Sequence, residues 1–150
     1  MKILEVVISI TIIFLLAGLV TGALGGLRGA DALVSSSETV LSALTTARTD
    51  TLASRGGNQY GVHFASTSIT IFPGATWSAA LTGTTTYALV PGTVVSATKL
   101  QGGPQVVDVV FDKLTGKTSE YGTTTLKVTV TGATSTVIVQ STGSISSASR

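Results

Sequence analysis

The chain has no cysteine at all, so no disulfide staples it and no thiol metal site or redox pair is available to it. Charge is equally sparse. Only 11% of its 150 residues are Asp, Glu, Lys or Arg, and the net charge is +2. The nine basic residues are scattered without a run, which excludes the dense basic patch that nucleic-acid binding needs. There is one histidine, His63, and the seven acids (Glu5, Asp31, Glu38, Asp50, Asp108, Asp112 and Glu120) never fall at a spacing suited to paired acid–base work or metal ligation. A lone strand histidine is a surface or packing residue far more often than a general base. Gly102-Gly103-Pro104 lacks the Lys and Ser/Thr of a phosphate loop and opens no helix. These gaps point to a structural protein, not an enzyme, with no cofactor and no metal.

What the chain does have is an uncharged apolar run and a surface rich in hydroxyls. Serine and threonine fill 43 positions, a texture more typical of an extracellular β-domain than of a cytoplasmic enzyme. From Val6 to Leu27 there is no charged residue over 22 positions, about 33 Å as helix and enough to cross a bilayer. Glu5 stands at the head of that run. A carboxylate drawn into hydrocarbon costs roughly a few kcal/mol, so it is expected to have a partner. Gly18, Gly22 and Gly26 recur every fourth residue, a small-xxx-small pattern that packs helices closely. With Gly25 and Gly29 they crowd one stretch in which each glycine costs about 1 kcal/mol against alanine, so 18–29 is expected to act as a hinge.

From Ala30 to about Ser54 the pattern stays helical. Leu27, Val34, Leu41 and Leu44 recur on one side with Ala30 and Ala47, and Arg55-Gly56-Gly57 supplies a cation and a stop. After Gly57 apolar and polar residues alternate. Strands are expected at 59–64, 68–72, 84–90, 93–99, 106–111, 124–131 and 136–141, with a short last one at 144–146. Breaks fall at Pro73-Gly74, Pro91-Gly92, Gly102-Gly103-Pro104, Leu114-Thr115-Gly116 and Thr131-Gly132. The expected fold class is therefore α+β. A long N-terminal helix, half apolar and half amphipathic, is packed by one antiparallel sheet, with 1–29 as the apolar helix, 30–57 as its amphipathic continuation and 58–150 as a β-rich head.

A glutamate at the fifth position of a long hydrophobic helix resembles the mature N-terminus of type IV pilins and the pseudopilins of type II secretion. Val109-Val110-Phe111-Asp112-Lys113-Leu114-Thr115-Gly116-Lys117, followed by Val137-Ile138-Val139 and Gly143-Ser144-Ile145, is more loosely similar to the last part of the H-type pseudopilins. The chain departs from many pilins in lacking a C-terminal disulfide and a helix-breaking proline.

The resemblance implies a pilin-like fold and a processed chain starting at an N-methylated Met1. It also implies Glu5 engaging the N-terminal amine of a neighbouring subunit, and a helical homo-oligomer. The partners it implies are the prepilin peptidase and the assembly machinery. It implies a single pass through the cytoplasmic membrane before assembly and a cell-surface filament afterwards. Two other readings stay open: a minor pseudopilin of a secretion or DNA-uptake machine, and a membrane-anchored extracellular binding module with exposed aromatics such as Trp77, Tyr87 and Tyr121. A cleaved signal peptide is disfavoured by Glu5 and by the length of the apolar run.

Overall fold

The computed structural model describes residues 3–103 and 107–149, with the side chains of 4, 19–28 and 149 outside the described set. Helix α1 runs from Ile3 to Leu52, 50 residues or about 75 Å. Its C-terminal part buries one stripe: Gly29, Leu33, Ser36, Ser37, Val40, Ala43, Leu44, Ala47 and Thr51. That is the three-and-four spacing of a single helix face. The expected stripe is corrected by about one residue, because Val34 is 54% exposed and Ala30 is exposed while Leu33 and Val40 are buried. Serine explains the slip. Ser37 Oγ donates to the Leu33 carbonyl and meets Ser135 Oγ at 2.9 Å, and Ser36 Oγ accepts the Val90 N–H at 3.2 Å. Small hydroxyls satisfied inside the protein take positions that apolarity alone assigns to larger side chains.

The helix ends where left-handed backbone begins. Ser54, Gly56 and Gly57 have φ of 48°, 59° and 73° through a 3-10 turn at Arg55–Gly57. Arg55 lies beyond the last helical turn and pairs with Asp50 at 3.3 Å. Thr51 Oγ1 donates to the Ala47 carbonyl and accepts the Tyr60 N–H at 2.8 Å, which fixes the first strand against the helix end.

Eight strands follow: β1 Tyr60–Phe64, β2 Ser68–Pro73, β3 Thr85–Ala88, β4 Thr93–Leu100, β5 Asp108–Val110, β6 Gly122–Val128, β7 Thr134–Val139 and β8 Ile145–Ser149. They do not form the single sheet expected. Two separate four-stranded antiparallel sheets form instead, ordered β3-β2-β1-β5 and β4-β6-β7-β8. The pilin-like fold class is thereby overturned: the protein is more β-rich than a pilin, and among the described residues no helix is long and apolar enough to cross a membrane. The chain leaves the first sheet at Pro91-Gly92, where proline has no ladder donor and Gly92 turns with φ 90°. It returns for the three residues of β5, then crosses again to β6.

The core is shared. Val62, Ile69, Ile71 and Val109 of the first sheet, and Leu126, Val128, Val137 and Val139 of the second, bury against the α1 stripe with Phe64 and Phe111. Gly61 is required by close approach, since a Cβ there would stand 2.6 Å from Phe72 Cζ. The exposed edge at β5 is partly closed by Glu120, whose carboxylate accepts the Val110 N–H and the Thr118 hydroxyl, each at 3.2 Å.

Candidate assembly site

Between Ile3 and Leu16, ten described aliphatic and aromatic side chains are exposed, from Val6 at 45% to Ile3 at 85%. They include consecutive residues such as Ile12, Ile13, Phe14, Leu15 and Leu16, so at 100° per residue they face every direction around the helix. The hydroxyls in this stretch do not relieve the apolarity. Ser9 Oγ donates to the Glu5 carbonyl and Thr11 Oγ1 to the Val7 carbonyl, both at 2.8 Å, so each is turned onto its own backbone. Glu5, exposed in the first turn of α1, is the one charged side chain described in this half of the helix. A carboxylate is favoured there by the helix dipole. A helix apolar all round is one that something else covers.

The other expected site residues separate. Met1, the expected methylation and pairing site, lies outside the described residues. Gly18, Gly22, Gly25 and Gly26 all sit in continuous helical backbone. Gly29 does not belong with them. It is buried against the head, where a Cβ would stand 2.7 Å from Thr131 Cγ2 of the β6–β7 turn.

Away from the helix, the structure brings together side chains that spacing could not pair. His63 Nδ1 lies 2.6 Å from Asp108 Oδ1, across the β1–β5 ladder, and its ring stacks on Trp77 at 4.5 Å between centroids. Trp77 in turn tilts against Phe72 at 5.4 Å. This cluster covers the outer face of the first sheet and needs no further partner to account for its residues. Arg48 is a structural seat: its Nε donates to the Gly116 carbonyl at 3.1 Å. Asp112 closes the 112–117 turn through its main chain, accepting the Gly116 N–H and donating to the Lys117 carbonyl. Among the described residues no group of three or more His, Cys, Asp or Glu side chains is placed to hold a metal ion.

Among the described residues the geometry thus presents one large exposed apolar surface, Ile3 to Leu16, bearing a single carboxylate at Glu5. Comparison with known proteins adds no name to it: no family model, no curated protein and no solved structure matches the chain.

Proposed function

We propose that the chain is a structural subunit, not an enzyme, of a type IV pilus-like surface filament. In this reading copies of α1 bundle through their N-terminal halves. The observation that carries it is the all-round exposure of apolar side chains from Ile3 to Leu16 with one carboxylate at Glu5. Each such side chain is worth about 1–2 kcal/mol when covered. Ten of them together amount to about 10–20 kcal/mol against water, so this surface is covered by lipid or by other copies and not left in water. Lipid covers the same surface before assembly, so the transfer from membrane to bundle is nearly neutral in apolar terms and polar contacts decide the register. Glu5 is the residue for that choice. Its carboxylate pairs with the N-terminal ammonium of a neighbouring copy, in the reading that Met1 is the processed and methylated first residue. A subunit one step out of register would leave both charges uncompensated in an apolar core, at a cost of several kcal/mol. The 18–26 glycines give the helix a weak segment where it bends to fit the bundle.

The test is direct. Fibres sheared from cells are expected to contain this chain as the dominant protein, with a methylated N-terminal peptide by mass spectrometry. Glu5→Ala is expected to abolish fibres while leaving the head folded. Normal fibres from Glu5→Ala would refute the reading, and a trace share of the fibre would assign the chain to the minor pseudopilins.

A further inference from the structure

Two features of the head are unexplained by its own packing. The first is a groove of about 320 Å³ on the flank of α1, lined by Val34, Glu38 and Leu41 of the helix and by Ser135 and Ser147 of β7 and β8. Val34 is 54% exposed there, beside Leu33, Val40 and Leu44 of the same part of the helix, which are buried against the sheets. Strand β8 is the outer strand of its sheet, so the groove opens at the sheet's edge.

The second feature is Leu114. It is 86% exposed at the tip of the 112–117 turn, with φ 68°, a left-handed conformation that a branched side chain disfavours and that glycine or asparagine would adopt more easily. The turn beneath it is held firmly. Asp112 N–H donates to the Lys117 carbonyl at 2.8 Å, Gly116 N–H to the Asp112 carbonyl at 2.9 Å, and Arg48 Nε to the Gly116 carbonyl at 3.1 Å. The Lys113 ammonium donates to the Gly57 carbonyl. A leucine is thus presented to solvent, in a conformation unfavourable to it, on a preorganised support.

We propose that Leu114 of one copy seats in the Val34–Leu41 groove of a second copy. Charge favours the match: Lys113 and Lys117 flank the knob, while Glu38 lines the groove. Knob and groove are different patches of one chain. The turn lies against Leu52, whereas the groove spans Val34 to Leu41, an offset on the order of 15–25 Å along α1. A contact between unlike patches is heterologous: it leaves a free knob and a free groove at each step and builds a chain of copies, open unless its rotation closes a ring. The inference deepens the filament reading and rests on it for the second copy.

The chain has no cysteine, so introduced thiols report cleanly. Leu114→Cys combined with Val34→Cys is expected to give an oxidation ladder of multimers, while neither single variant gives one. No cross-link from the double variant, or an equal dimer from Leu114→Cys alone, overturns the contact. Leu114→Gly suits the left-handed backbone, so the head is expected to keep its melting temperature while association weakens roughly 10- to 100-fold. Glu38→Lys is expected to weaken it too, and Lys117→Glu added to Glu38→Lys to restore it. Fibres that form normally from Leu114→Gly would overturn the contact and leave the filament reading standing. Ladders through positions 34 and 114 with no fibre from the unmodified chain would do the reverse.

Discussion

Gly143→Ala is the most informative single change for the head, because two turns meet at that residue. Gly143 has φ 77°, and a Cβ built there would lie 1.8 Å from the Gly116 carbonyl oxygen and 2.8 Å from Arg48 Nε. The first cost is conformational: alanine in left-handed backbone loses about 1 kcal/mol against glycine. The second is steric. The 112–117 and 141–144 turns must separate by more than an ångström, which breaks the Arg48–Gly116 bond, a charged hydrogen bond worth about 1.5–3 kcal/mol. The sum is about 2.5–4 kcal/mol, or roughly 10 °C in melting temperature for a domain of this size. Gly132→Ala is the control, since Gly132 has φ 74° with nothing within 4 Å of its Cβ, so it carries the conformational cost alone. Thermal unfolding of both variants by circular dichroism isolates the steric part as their difference. Equal melting temperatures would refute the close contact of the two turns on Arg48.

Two further outcomes follow from burial. Phe111 is fully buried where α1 and both sheets meet, so Phe111→Ala is expected to cost about 3–5 kcal/mol in chemical denaturation, and a loss under 1 kcal/mol would show that it is not a core residue. Thr124 is 1% exposed and its hydroxyl has no hydrogen-bond partner among the described residues, so Thr124→Val is expected to stabilise the head by about 1 kcal/mol, whereas destabilisation would reveal a partner for that hydroxyl.

Much of the local structure was legible in advance. Alternation located all eight strands to within a few residues, and the Pro–Gly and Gly–Gly pairs marked their ends. What local pattern could not carry was partnership. Nothing in Asp108-Val109-Val110 says that it returns to lie beside β1 after β4 has joined a different sheet, and so one sheet was expected where there are two. The helix phase failed for a chemical reason. The apolar pattern carries no signal for Ser36 and Ser37, whose hydroxyls bond Val90, Leu33 and Ser135 inside the protein. At the candidate site Glu5 stood out because a charge in an apolar run is visible in one dimension, whereas Leu114 and Val34 matter only through a turn conformation and an exposure that exist in three.

The buried stripe on α1 has a mechanical consequence. It extends from Gly29 to Thr51 along the same rod whose other half carries the exposed apolar surface, and both sheets hold it. A pull on the N-terminal half therefore reaches the head along the helix axis and loads the contacts of Leu33, Val40, Leu44 and Ala47 in shear, all at once. Contacts loaded in parallel share the force, whereas contacts peeled in series meet it one by one. Under a pull along α1 the head would come away only when these contacts fail together.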